Sequence, residues 1–401
     1  MSNSTSARGL GVYLHVPFCE RVCPYCDFAV EAAGALDPEL AAGHVRLLLA
    51  ELECARRAHG AVLEGRRLES VYLGGGTPSL LPEGEVAALL EGLARAFGAL
   101  PDEVTLEVNP GPLEVARLPG YRAAGVTRIS VGVQSLHDQT LKALGRAQSA
   151  AETRRGLEAC LGAGFASLSA DLIYGAPAQQ PEELFTDLDA LVAAGVPHVS
   201  AYALTLEAST PFATAHAAGR LALPDEETAH AMATGVRARL SACGYEHYEI
   251  SSFARPGHRS CHNQRYWERR DVLGLGPSAA SLLGQERLRN QRGRAAWAEQ
   301  VRARRLPVAE CETLPARAER QETLSLGLRR LEGVSRAAYL RRFGTRPEAD
   351  FPDELAELRA LGLLADRAGR LALTERGILF ADEVFLRFVD AVDTPRQARL
   401  A

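Results

Sequence analysis

The sequence predicts an α/β fold: an incomplete barrel of six βα units, followed by a small, mostly helical, winged-helix-like domain. Two observations carry this. Short β-rich runs alternate with amphipathic helical stretches as far as Leu204, the pattern of a parallel sheet built from βα units. Each run also ends in Cys-rich, Gly-rich or polar residues, where a parallel barrel puts its functional loops.

The strand runs are residues 12–16, 70–73, 104–108, 128–133, 167–173 and 198–204. Helical patterns over 39–57, 83–97, 150–162 and 182–193 lie between them. After Leu204 a helix is expected over 224–243 and a further strand over 245–250, before a polar, Arg-rich stretch over 285–305. Helical segments at 316–331, 336–343 and 353–361 precede a hairpin over 363–373 and a last helix over 375–388. At 401 residues the chain exceeds one typical core. The barrel with its extension is assigned to 1–300 and the C-terminal domain to 301–401. Three helices and a hairpin raise the question of DNA. From Thr313 to Ala401, however, 15 Arg face 14 Asp plus Glu, so no basic footprint supports it. A lid or partner-docking domain is the reading.

Apolar content of 47% and charged content of 24% are ordinary globular values. A net charge of -5 gives no electrostatic case for nucleic acid or an anionic membrane. No apolar run approaches the ~20 residues that span a bilayer, and the polar N-terminus lacks the apolar core of a signal peptide. A cytoplasmic protein is expected, with no transmembrane segment and at most peripheral membrane contact. Eight cysteines in a chain this long do not make a disulfide scaffold. Cys54, Cys160, Cys243, Cys261 and Cys311 are scattered, whereas Cys19, Cys23 and Cys26 crowd together.

That crowd sits in Tyr13-Leu-His15-Val-Pro-Phe-Cys19-Glu-Arg-Val-Cys23-Pro-Tyr25-Cys26. Three thiolates on one loop can close round an iron–sulfur cubane and leave its fourth iron for a small ligand. The competing reading is structural zinc with His15 as fourth ligand, although His15 falls inside the strand rather than on the loop. Cys-x3-Cys-x2-Cys with an aromatic before the third Cys resembles the radical-SAM superfamily. The wider string, Tyr-x-His-x-Pro-Phe-Cys, resembles the family of oxygen-independent coproporphyrinogen III oxidases and the related HemW haem chaperones. The resemblance extends over nearly the whole chain.

It implies a radical-SAM barrel with a HemN/HemW-type C-terminal domain, a [4Fe–4S] cluster on Cys19, Cys23 and Cys26, and S-adenosylmethionine beside it. Gly74-Gly75-Gly76-Thr77-Pro78-Ser79 lacks the Lys of a phosphate loop. Its glycines let backbone approach a ligand closely, and the resemblance puts the cofactor on Gly75, Gly76 and Thr77. It assigns further cofactor contacts to Tyr13, Glu107, Gln134, Ala203 and Ala280. Arg146 offers a guanidinium to a carboxylate, and Asp171 could accept from ribose hydroxyls. The chemistry implied is reductive cleavage to a 5′-deoxyadenosyl radical, with an electron from a donor such as a flavodoxin or ferredoxin.

Two functions compete. One is oxidative decarboxylation of coproporphyrinogen III, in porphyrin biosynthesis; the other is haem binding and delivery to haemoproteins. The oxidases carry a further Cys two residues after the third ligand, where this sequence has Phe28, and a longer segment before the cluster. Tyr248-Glu249-Ile250-Ser251 and Cys261-His262-Asn263-Gln264-Arg265-Tyr266-Trp267 resemble the chaperone signature. A His with two aromatics can ligate haem iron and pack on the macrocycle. His262 is the haem-ligand candidate, Cys261 the alternative, and outside this family the trio would read as a core cluster. The chaperone is preferred, with the oxidase as alternative. A methyl- or sulfur-transferring radical enzyme is the third reading, without the extra Cys-rich module of a second cluster.

Overall fold

In the computed structural model, which describes residues 9–389, the first strand β1 (Leu10–Val16) is buried at every position but Tyr13. Near-continuous burial marks a parallel strand covered on both faces. Five βα repeats follow: α1 (Pro38–Ala58), β2 (Leu68–Gly75), α2 (Glu83–Phe97), β3 (Val104–Val108), α3 (Pro112–Ala124), β4 (Arg128–Gln134), α4 (Ala150–Gly162), β5 (Ser167–Tyr174), α5 (Pro181–Ala193) and β6 (His198–Ala203). Strands β1 to β6 lie side by side in chain order, all parallel. Leucine, valine and isoleucine of the strands and the inner helix faces form one continuous core. The register pairs His15 with Gly74 and Val16 with Gly75, so the cysteine loop and the glycine run leave the sheet together.

The sheet is wider than the sequence reading. Beyond α6 (Glu226–Ala242) come β7 (Glu246–Glu249) and β8 (Ser252–Ala254), the latter antiparallel to β6. Helix α7 (Cys261–Trp267) then leads to β9 (Val272–Leu275), which pairs parallel with the free side of β1. Strands β10 (Ala280–Leu283), β11 (Glu286–Asn290), helix α8 (Arg294–Arg302) and β12 (Val308–Thr313) complete a 12-stranded sheet, ordered β12-β11-β10-β9-β1-β2-β3-β4-β5-β6-β8-β7. The stretch 285–305 that reads as polar and Arg-rich is thus strand and helix. Most of its arginines occupy exposed positions, Arg287 and Arg294 half-buried ones, while Leu288, Asn290 and Trp297 point inward. Gly274 makes the β9–β10 approach feasible, since a Cβ there would lie 2.3 Å from the Ala280 carbonyl oxygen.

Contacts divide the chain into two units, one running to His247 with Ser251–Arg265 and Arg270–Glu312 added, the other comprising Tyr248–Ile250, Tyr266–Arg269 and the chain from Thr313. The second unit has its own core around Leu324, Phe351, Leu355, Leu371 and Phe388. It contains α9 (Ala316–Leu328), β13 (Val334–Ser335), α10 (Arg336–Phe343), α11 (Pro352–Ala360), β14 (Leu364–Arg367) and β15 (Arg370–Leu373). The three strands form a small antiparallel sheet, β13-β15-β14, as a winged-helix pattern requires. The expected last helix is two, α12 (Glu375–Leu379) and α13 (Ala381–Leu386), interrupted at Phe380. No described helix is long and apolar enough to cross a membrane.

Candidate functional site

Strand β1 runs through Phe18 into the loop that carries the three cysteines. Gly76 N–H donates to Val16 O at 2.8 Å and Thr77 N–H to Phe18 O at 2.7 Å, clamping the glycine run against this loop. A Cβ on Gly76 would lie 2.6 Å from Phe18 O and 3.0 Å from Cys19 Sγ, so only glycine fits. Cys19, Cys23 and Cys26 are half-buried and line one cavity. Burial pushes the Cys19 thiol up to about 11; a Thr77 hydrogen bond opposes this, and the neighbouring Cys26 and Cys23 add to it. Burial likewise raises Cys26.

His15 does not join the thiols. Its Nε2 meets Ala29 O at 2.9 Å, bracing the loop, and its Nδ1 meets the Tyr13 hydroxyl of the same strand at 3.1 Å, so both ring nitrogens are engaged. Among the described residues no three Cys, His, Asp or Glu groups converge closely enough to hold one metal ion. Three thiols spread along a loop and facing one cavity suit a cluster of several irons better than zinc, which wants four ligands at one point.

The cavity has a volume of about 390 Å³ and lies at the C-terminal ends of the parallel strands. Gly75, Gly76 and Thr77 form one side of it. Glu107 lines it from β3, accepting from Tyr72 OH at 2.9 Å and Gly75 N–H at 3.2 Å. Burial pushes the Glu107 carboxyl up to about 7; the Tyr72 bond pulls it down, the Asp171 charge pushes it up and the Gly75 amide pulls it down. Arg146 lines the cavity too, its Nη2 held by Asn109 Oδ1 at 2.8 Å and Gly132 O at 3.2 Å. Asn109 in turn donates to Thr77 Oγ1 at 3.2 Å. Gln134 ends β4 with φ of 63°, a left-handed conformation uncommon outside glycine and concentrated at functional sites. Asp171 accepts from Ser130 Oγ at 2.8 Å and Ser169 Oγ at 3.1 Å, and burial raises its carboxyl. Ala203 lines the rim at the end of β6.

Below these groups the barrel interior is unusually polar. Ser169 Oγ meets His198 Nδ1 at 2.8 Å, and Arg128 donates to Ser167 Oγ at 2.8 Å and His258 O at 2.9 Å. Closed barrels fill this space with branched apolar side chains. Sequence reasoning missed Asn109, Tyr72, Arg128, Ser130, Ser169, His198 and Ser200, all of which line the cavity. A signal existed: Arg128, Ser130, Gly132 and Gln134 recur at period two along β4, as do Ser167, Ser169 and Asp171 along β5.

Three expected residues lie outside this constellation. Tyr13 is braced against His15, Ala280 is exposed on β10, and neither lines the cavity. His262 is only 1% exposed and does not face the cavity, although Ser260 and Asn263 beside it do. Its Nδ1 meets Ser70 Oγ at 2.9 Å, its ring centroid lies 5.2 Å from that of Tyr72, and burial lowers its pKa to about 3. In this arrangement His262 packs against Ser70 and Tyr72, away from the cavity lining. Cys261, the alternative, has its thiol pushed up to about 11 by burial, with the Glu103 carboxylate adding to it.

Residues 13–207 match the family model described as Radical SAM superfamily, and residues 314–380 match the HemN C-terminal domain. That pairing, on an open parallel sheet, defines a radical-SAM protein of the coproporphyrinogen III oxidase-like class. The chain is 38% identical over 375 residues to heme chaperone HemW of Mycobacterium tuberculosis, with 93% of each chain covered. It is 33% identical over 391 residues to heme chaperone HemW of Escherichia coli, covering 95% of this chain and 98% of the other. The chain belongs to the HemW family. Its fold resembles that of the coproporphyrinogen III oxidase HemN from Escherichia coli with a TM-score of 0.80 and 24% identity, over 95% of this chain and 90% of that one.

Proposed function

We propose that the chain is a haem chaperone: it binds haem and delivers it to haemoproteins, and it carries a [4Fe–4S] cluster and S-adenosylmethionine at the barrel mouth. The observation that carries this is relatedness over nearly the whole chain to proteins named heme chaperone HemW. Cys19, Cys23 and Cys26 are the cluster ligands in this reading, supported by their shared cavity. Backbone of Gly75 and Gly76, with Thr77, takes the amino-acid end of the cofactor, Arg146 its carboxylate, Asp171 its ribose, and Glu107 and Gln134 the remaining polar contacts. When bound, the cluster supplies one electron at a time and an open coordination position. The protein's part is to orient the cofactor and exclude water. A flavodoxin or ferredoxin serves as electron donor, and haem-receiving haemoproteins are the partners.

The deciding experiment gives anaerobically reconstituted protein haem in one arm and coproporphyrinogen III with S-adenosylmethionine and reductant in the other. Haem binding, seen as a shifted Soret band, and transfer to an apo-haemoprotein are expected, with no decarboxylation. Phe28, where the oxidases have a thiol, supports that expectation. Formation of protoporphyrinogen IX at a catalytic rate would overturn the proposal and restore the oxidase.

The buried carboxyls make a second prediction. Glu107 titrates at about 7 against an ordinary 4.5, so in the ligand-free chain its ionisation costs stability as pH rises across that window. A cationic ligand beside it favours the ionised form. Affinity for S-adenosylmethionine should therefore rise roughly tenfold between about pH 5.5 and 7.5, then level off. Glu107→Gln should flatten the profile. Asp171→Ala should weaken binding roughly ten- to a hundredfold, as loss of buried charge-assisted hydrogen bonds does. Calorimetric titration of the cluster-loaded protein tests both. Equal binding by both variants across that range would refute these contacts.

A further inference from the structure

Exposed apolar side chains gather where the cavity opens. Phe28 is 68% exposed and Tyr202 43% exposed, and both line the cavity. Phe28 stands two residues beyond Cys26 and has no aromatic neighbour among the described residues. Val30 and Leu204 extend the apolar lining beside them. A soluble chain gains nothing in water by presenting a large aromatic ring at the mouth of a polar cavity, and such exposed patches mark binding sites. Two exposed charges, Glu20 and Arg21, also line the opening, and of these only Arg21 can pair with a carboxylate. Arg21 is exposed, lines the same opening and has no carboxylate or hydrogen-bond partner among the described residues.

The cavity itself, at about 390 Å³, is near the lower end for one drug-sized ligand. It cannot enclose a macrocycle and a nucleoside cofactor together. A second, larger ligand has to sit on the rim. Exposed aromatic rings and a guanidinium around one opening suit a planar aromatic molecule that carries carboxylates.

We propose that haem docks across the cavity mouth over the Cys19–Cys26 loop, with Phe28 and Tyr202 against the macrocycle and Arg21 on a propionate. This rests on the chaperone reading and says where its cargo lies. Flat stacking selects the conjugated, planar macrocycle over a reduced porphyrinogen, whose bridging carbons are tetrahedral and whose ring is puckered. The site is distinct from His262, which is packed inside the barrel wall.

The test is titration of the reconstituted full chain with haem and with haem dimethyl ester, whose propionates carry no charge. Phe28→Ala and Tyr202→Ala should each weaken both ligands, roughly tenfold, through lost aromatic contact. Arg21→Ala should weaken haem by about the same factor and leave the ester unchanged. All three side chains are exposed, so iron content and melting temperature should match the parent and serve as controls. Parent-like haem affinity in all three variants would overturn the rim site while leaving the chaperone reading intact. Failure of the parent itself to bind haem would overturn both.

Discussion

Replacing Cys19, Cys23 or Cys26 by Ala should leave a folded chain that holds no cluster, while the parent reconstituted without oxygen binds about four irons and four sulfides, as one cubane does. Cys54→Ala and Cys160→Ala should reconstitute like the parent, because those thiols are buried in the hydrophobic interior away from the cavity. The contrast is all-or-none. A cubane with three protein ligands has one iron to spare, and loss of a second ligand position leaves the cluster too weakly held to survive desalting. Iron and sulfide assays read the content. The electron-spin resonance spectrum of the reduced protein should change when S-adenosylmethionine is added. Stoichiometric zinc without iron in anaerobically purified protein would sink the assignment.

The second large effect concerns stability. Arg265 is 1% exposed, and its guanidinium donates to Glu69 Oε2 at 2.5 Å, Gly9 O at 2.6 Å and Asp271 O at 2.9 Å. It ties helix α7 to the start of β1, to β2 and to the residue before β9. The space is tight: a Cβ on Gly11 would come within 2.7 Å of Arg265 Nε. Arg265→Ala would leave the Gly9 and Asp271 carbonyls without this donor, while Glu69, part-exposed, keeps Arg270 as its partner. Leaving a buried acceptor without its donor typically costs about 1–3 kcal/mol, so the first unit should melt roughly 5 °C lower. Arg265→Lys should recover only part of this, since an ammonium cannot span three acceptors in one plane. Differential scanning calorimetry of the apo chain decides it. A shift below about 2 °C for the Ala variant would show that the helix holds without this anchor.

What the sequence disclosed follows from these physical features. Strands β1 to β6 are short, apolar and separated by amphipathic helices, so their period and their loops could be read directly. The cysteine loop and the glycine run were legible because their chemistry has few other uses. Strands β9 to β12 were not, because they lie towards one edge of the sheet and exposed positions on β11, such as Arg289, carry charge. The surroundings of His262 were not legible for a different reason. A histidine flanked by aromatics has the same letters whether it grips a macrocycle or packs beneath a barrel wall, and only the fold reveals Ser70 as its partner. The hydroxyls under Asp171 escaped because serine within a strand reads as a weak strand former rather than as part of a buried network.

The placement of β1 also bears on how the protein is made. One of its neighbours, β2, follows promptly in the chain, but the other, β9, is roughly 260 residues away in sequence (Gly11 pairs with Val272). On the ribosome the strand that ends in the three thiols therefore emerges early and keeps one edge bare for most of synthesis. An unpaired strand edge is a template for pairing with other chains. That edge of β1 is closed only once residues 272–275 have been made and have docked, so the last step in assembling the sheet beside the cysteine loop joins segments far apart in sequence.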